Sequence, residues 1–181
     1  MGRRLRASQT FGLDRPLVSS NVFVADAMLG SLARKLRIFG FDTIYFKEGS
    51  DFELEALAKR EKRVILTSDR FLFEHAQRKR VKALFVEGRT DRARLLSLLG
   101  QAGPRLGMRI ANGGASRCAV CNGELEVINK RGTAAGQVPA KVLARHRLFY
   151  RCTSCSRSYW RGKHWERLRR LSYSLKRKDL T

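Results

Sequence analysis

Two short apolar runs that end in aspartate constrain this chain more than any other feature. Val22-Phe23-Val24-Ala25 leads into Asp26, and Val64-Ile65-Leu66-Thr67-Ser68 leads into Asp69. Short apolar runs of this kind read as buried strands. In an open α/β sheet, ligands bind in the crevice beyond the carboxyl ends of the strands, so acids at two such ends converge on one site.

The residues around these runs alternate between strand and helix patterns. Met28, Leu29, Leu32, Ala33, Leu36 and Phe39 recur at helical spacing and Gly40 follows as a stop. Arg34 and Arg37 are expected on the face away from that apolar stripe, with Lys35 nearby, either gripping phosphate or simply solvated. Thr43-Ile44-Tyr45-Phe46 predicts a second strand, and Ser50-Asp51-Phe52-Glu53 predicts a capping box opening a helix through Leu54, Leu57 and Ala58. A third strand from Arg63 to Thr67 precedes a helix over Phe71 to Lys79. Ala83-Leu84-Phe85-Val86 is the fourth strand, and Thr90-Asp91 opens a helix through Leu95, Leu96, Leu98 and Leu99. Right-handed crossovers make this a mainly parallel sheet flanked by helices.

The 181 residues suffice for one ordinary domain and a small module. Residues 1–20 read as a basic flexible arm, 21–111 as the α/β domain, and 112–181 as a second module, entered through the linker Ala111-Asn112-Gly113-Gly114-Ala115-Ser116. The formal charge is +22, and its excess is concentrated at the end: residues 112–181 hold 16 basic against 4 acidic side chains. Charge of this size calls for an anionic partner, and nucleic acid is the natural one. Thermophilic charge enrichment is the competing explanation, although it normally spreads over both signs. No apolar stretch approaches the ~20 residues needed to cross a bilayer, and neither an export nor a myristoylation signal is recognisable, so a soluble, cytoplasmic protein is expected.

All four cysteines lie in the second module, as Cys118-x-x-Cys121 and Cys152-x-x-Cys155. Two such pairs suit a structural tetrahedral zinc; a pair of disulfides and a redox dithiol are the alternatives. Glu124 to Ile128 and Leu148 to Tyr150 can supply ribbon strands. Beyond Tyr159-Trp160, a helix places Trp165, Leu168, Leu171 and Leu175 on one face and Lys163, Arg167 and Arg170 off it. His164 reads as a ligand in place of a cysteine, as a group that orients a phosphate, or as a partly exposed packing residue, and the aromatic residues either stack bases or form a small core.

Asp26, Asp51 and Asp69 come from three elements that a parallel sheet brings to one edge, and Asp91 opens the helix after the fourth strand. Crowded carboxylates need a cation, which makes the cluster a candidate site for Mg²⁺ or Mn²⁺ and for metal-assisted phosphodiester hydrolysis. Aspartate is also a common helix cap, a role that Asp51 and Asp91 fit well.

The segment Phe23-Val24-Ala25-Asp26-Ala27-Met28-Leu29-Gly30-Ser31-Leu32-Ala33-Arg34-Lys35-Leu36-Arg37, with Gly40-Phe41-Asp42, Asp51 and Leu66-Thr67-Ser68-Asp69-Arg70, resembles the PIN-like ribonuclease domain first described at the C-terminus of mut-seven-type exonucleases. The resemblance continues through Arg117-Cys118, Phe149-Tyr150-Arg151-Cys152 and Tyr159-Trp160-Arg161-Gly162-Lys163-His164-Trp165. It implies a PIN-like fold, a single-strand-type ribonuclease centre on Asp26, Asp51 and Asp69, and a zinc ribbon on Cys118, Cys121, Cys152 and Cys155. It also marks Arg34, Arg37 and Arg70 as site residues and leaves Asp91 as a positional candidate for a fourth acid.

The expected function is a metal-dependent endoribonuclease in which Asp26 and Asp69 hold the principal Mg²⁺ or Mn²⁺ ion. Lys163, Arg167 and Arg170 would join the site arginines in binding RNA, with ribosomal and transfer RNA among the candidates. The competing reading is a weakly active or inactive PIN-like RNA-binding factor acting on ribosomal or other structured RNA; a DNA-directed nuclease is a third.

Overall fold

The computed structural model describes residues 22–103, 106–107, 115–133 and 136–176. The expected N-terminal arm and the first residues of the expected linker lie outside the described residues. Strands β1 (Val22–Ala25), β2 (Asp42–Tyr45), β3 (Val64–Thr67) and β4 (Ala83–Phe85) form one sheet in the order β2-β1-β3-β4, with every pairing parallel. Val24 sits opposite Ile44 on one side and Ile65 on the other. Helices α1 (Gly30–Ile38), α2 (Asp51–Arg60), α3 (Arg70–Arg78) and α4 (Asp91–Ala102) follow the four strands in turn.

Because successive strand side chains point to opposite faces, each strand feeds two cores. Phe23, Ala25, Val64 and Leu66 pack with Leu32, Leu36, Leu95 and Leu98 of α1 and α4. Val24 and Ile65 pack on the other face with Leu54, Ala58, Leu72 and Ala76 of α2 and α3. Burial on both faces is why these strands read as unbroken apolar runs rather than as alternating ones.

The expected α1 stripe starts too early. Asp26 accepts a 2.8 Å hydrogen bond from the Met28 amide, closing a 3-10 turn over Ala27–Leu29, and Met28 is left 60% exposed. The buried stripe begins only at Leu29.

The second module contains an antiparallel sheet of β5 (Leu125–Ile128), β6 (Phe149–Cys152) and β7 (Ser158–Tyr159), with a short helix α5 (Ala140–Arg145) in the insert between β5 and β6. The last helix, α6 (Lys163–Lys176), does not pack as part of this small sheet. Its Leu168 and Leu175 are buried in the core shared by α1 and α4, with Leu171 partly buried beside them, while Lys163, Arg167 and Arg170 remain exposed.

Polar contacts seat the ribbon on the first domain. Asn122 accepts the Thr43 amide at 3.0 Å and donates to Asp42 at 2.8 Å, and the Arg117 amide donates to the Arg37 carbonyl at 2.8 Å. Asp42 also takes a 2.6 Å ion pair from Arg63. No described helix is long and apolar enough to cross a membrane.

Candidate active site and metal centre

The strand order reverses between β1 and β3, and the two principal acids follow the carboxyl ends of those strands. Asp26 ends β1, and its two carboxylate oxygens accept the Met28 amide and the Thr67 hydroxyl. The same Thr67 oxygen accepts the Asp69 amide at 2.8 Å, so one buried hydroxyl holds the two acidic segments in register. Asp69 caps α3: its Oδ1 accepts the amides of Phe71 at 2.7 Å and Leu72 at 3.1 Å. Asp51 is the first residue of α2, placed by the reciprocal capping box between Ser50 and Glu53.

Asp26, Asp51 and Asp69 line one cleft of about 170 Å³, together with Met28, Phe46 and Lys47. Asp26 is only 6% exposed, whereas Asp51 and Asp69 face solvent. Burial holds the Asp26 carboxyl above its ordinary range, and the charge of Asp69 adds to the rise; hydrogen bonds from Thr67, Met28 and Ser68 oppose it without cancelling it. A cation in the cleft would reverse that balance by favouring the ionised form.

The fourth candidate acid lies elsewhere. Asp91 is absent from the cleft and its carboxylate is 2.7 Å from the Lys35 ammonium. Burial alone would raise its carboxyl, but hydrogen bonds from Lys35 and Ser31 outweigh it and hold the group below the usual range. At the start of α4, Asp91 thus ties α4 to α1.

The expected RNA-contacting residues also divide. Arg34 is exposed, as are Lys163, Arg167 and Arg170, and Arg70 is exposed with its guanidinium 5.1 Å from the centre of the Phe85 ring. Arg37 corrects the sequence reading. It is 6% exposed, and its guanidinium donates to the carbonyls of Thr43 at 2.7 Å, Ala119 at 3.1 Å and Val120 at 2.8 Å. The arginine lies under the docked ribbon, so the helix face expected to meet solvent is an internal interface at that position.

The four cysteines meet at one point. Their sulfurs all lie within 4.8 Å of one another, with Cys118–Cys155 at 3.6 Å and Cys121–Cys152 at 3.4 Å. In each pair the second cysteine's amide points at the first cysteine's sulfur at 3.5 Å. A Cβ on Gly123 would lie 2.9 Å from the Cys152 sulfur, so glycine lets the chain pass this close to the cluster. Four thiolate donors converging on a point fit a single metal ion. Among the described residues this is the one group of metal-binding side chains tight enough to close on an ion, and His164 is not part of it.

Sequence reasoning missed the roles of Thr67 and Asn122. Thr67 stood at the end of an apolar run, where its hydroxyl had no visible partner; the bridge exists only once β1 and β3 pair. Asn122 follows Cys121 directly, and its contacts to Asp42 and Thr43 cross about 80 residues of chain.

Over residues 21–172 the chain matches the family model described as Mut7-C RNAse domain. The chain belongs to that family. The Mut7-C match begins just before β1 and ends within α6, so it takes in the acidic cleft, the cysteine cluster and most of α6. Membership indicates a ribonuclease-like function and RNA as substrate. Comparison with curated proteins and with solved structures returned no match.

Proposed function

We propose that this Mut7-C protein is a divalent-metal-dependent endoribonuclease, with Asp26, Asp51 and Asp69 as its acidic centre and a structural zinc on Cys118, Cys121, Cys152 and Cys155. The observation that carries the reading is the convergence of three acids from three different elements on one cleft, at the point where the strand order reverses.

The donor set fits Mg²⁺ or Mn²⁺. It consists of oxygens alone, and the acids line the cleft walls rather than closing into a tight cage, which suits an ion that keeps several waters and takes one or two carboxylates. Asp26 and Asp69 would hold it, and Asp51 would complete the surroundings. When bound, such an ion stabilises negative charge developing on phosphate oxygens and lowers the pKa of water.

The chain's own residues do the positioning. The Thr67 hydroxyl fixes the Asp26 carboxylate, and the N-termini of α2 and α3 face the cleft with their unpaired amides partly satisfied by Ser50 and Asp69. Arg70, directly after Asp69, and Arg34 on α1 are the exposed cations proposed to hold substrate phosphate. Lys163, Arg167 and Arg170 on α6 supply further phosphate contacts, so RNA affinity falls steeply with salt.

The test is cleavage of single-stranded and structured RNA by metal-stripped, zinc-loaded protein with Mn²⁺ or Mg²⁺ restored, set against the Asp26→Asn/Asp69→Asn chain. Cleavage that requires the added ion and disappears in the double variant is expected. Salt-dependent RNA binding without cleavage by the parent under any of these ions refutes the enzyme and leaves an RNA-binding factor.

A further inference from the structure

A cavity larger than the acidic cleft lies elsewhere among the described residues. A pocket of about 430 Å³ opens where α1, the ribbon and α6 meet, and its walls come from all three. Arg34 and Ile38 belong to α1; Val127, Tyr150 and Trp160 to the ribbon; His164, Trp165 and Leu168 to α6. Both tryptophans of the chain line it, and no carboxylate does among the described residues.

We infer that this pocket takes an unpaired nucleobase of single-stranded RNA, with Arg34 and Arg161 at its mouth meeting the adjoining phosphates. The inference rests on the ribonuclease reading for its choice of ligand, and three observations on the pocket support it.

First, the lining combines flat aromatic surface with positive charge, the composition that binds single-stranded nucleic acid by stacking and phosphate contact. The exposed guanidinium of Arg161 already stacks 5.6 Å from the Tyr150 ring centre and 5.5 Å from that of Trp165, as a planar cation does beside bases.

Second, the polar edges are uncommitted. Tyr159 is used structurally, its hydroxyl lying 3.0 Å from the Cys118 sulfur. The indole N–H groups of Trp160 and Trp165, the Tyr150 hydroxyl and the ring nitrogens of His164 make no hydrogen bond to another described residue, which leaves donors and acceptors available for base edges. The indole of Trp160 lies against Gly162, where a Cβ would come within 2.9 Å of its nitrogen, so glycine permits this placement.

Third, the pocket is joined to the acidic cleft by one rigid element. The turn of Ala27–Leu29 at the cleft rim runs straight into α1, and Arg34 and Ile38 follow Gly30 at about 6 Å and 12 Å along the axis at 1.5 Å per residue. A strand crossing the cleft can therefore seat a base a short distance from the acids. The pocket would set where along a strand cleavage occurs.

Because both tryptophans line the pocket, intrinsic fluorescence reports on it directly. Short oligoadenylate is titrated into the zinc-loaded Asp26→Asn/Asp69→Asn chain, which removes cleavage from the measurement. Quenching is expected to saturate with binding. Trp160→Ala should weaken affinity about 5- to 150-fold, the usual range for loss of one stacked base, while Trp160→Phe retains most of it. An abasic strand of equal length should bind through its phosphates without the quenching.

Equal binding and quenching by the abasic strand overturns the proposal, as does unchanged affinity in a folded Trp160→Ala/Trp165→Ala chain, followed by the anisotropy of a fluorophore-labelled oligoadenylate because that chain has no tryptophan. The two readings fail separately: binding with these properties but no cleavage by the parent refutes the enzyme alone, and cleavage with an inert pocket refutes the pocket alone.

Discussion

Replacing Arg37 with alanine separates a buried structural role from an RNA-binding role. The guanidinium makes one hydrogen bond to a buried carbonyl, Thr43 at 2.7 Å, and two to the partly buried carbonyls of Ala119 and Val120 at 3.1 and 2.8 Å. Leaving the buried acceptor unpaired costs about 1–3 kcal/mol, and the two partly buried ones about 0.5–1.5 kcal/mol each, giving about 2–6 kcal/mol in all. For a chain of this size each kcal/mol moves the melting temperature by about 2–4 °C, so a fall of at least several degrees is expected. Ala119 and Val120 lie between two of the clustered cysteines, so the variant should also lose the proposed zinc to a chelator faster. The assays are thermal unfolding by circular dichroism and zinc release followed with a colorimetric chelator. Arg37→Lys keeps the charge but not the three-way geometry, and should resemble alanine in stability. Unchanged melting and zinc retention in Arg37→Ala, with weakened RNA binding that Arg37→Lys restores, would refute the structural assignment.

Four further outcomes are expected. Burial alone would raise the Asp42 carboxyl, but hydrogen bonds from Arg63 and Asn122 outweigh it and hold the group below the usual carboxylate range. Its stabilising contribution is therefore complete above about pH 4 and lost as pH falls through the native value; acid unfolding of Asp42→Asn should accordingly show a shallower pH dependence in that window. Asp51→Asn should lower cleavage at least tenfold, whereas Asp91→Asn, which loses a partly exposed ion pair with Lys35, should change stability by less than about 1 kcal/mol and leave cleavage within a few-fold. Thr67→Val removes the hydroxyl shared by Asp26 and the Asp69 amide, and should cost about 1–3 kcal/mol in denaturant unfolding while reducing the cleavage rate. Chelating the zinc proposed for the four cysteines should loosen the ribbon and abolish protection of the β6 amides from hydrogen exchange, with the protection of β1 and β3 retained.

Much of the first domain was legible because its signals are local. Apolar runs, the Ser50 capping box, the Thr90 cap and the Gly40 stop each depend on neighbours a few residues away, and the structure has an element at each place. The cysteine spacing was equally informative, since each two-residue turn aims both sulfurs the same way whatever surrounds it. Met28 was misplaced for the opposite reason: helical periodicity counts it into the stripe, but the hydrogen bond from its amide to Asp26 turns the chain before the helix begins.

The division among the charged residues lay beyond sequence. Arg34 and Arg37 are three apart on one helix and look alike in the chain, yet one is exposed and the other is covered by a ribbon that arrives some 80 residues later. Asp69 and Asp91 both stand at helix starts, and only the strand order sends one to the cleft and the other to Lys35. The sequence by itself determined the parallel α/β domain, the cysteine cluster and the acids carried to strand ends, because periodicity, capping and turn spacing act over a few residues. Only the tertiary structure decided which acids share a cleft, which arginines meet solvent, and that α1, the ribbon and α6 enclose an aromatic pocket. Burial and charge pairing depend on what packs against a residue, and here that partner comes from a distant part of the chain.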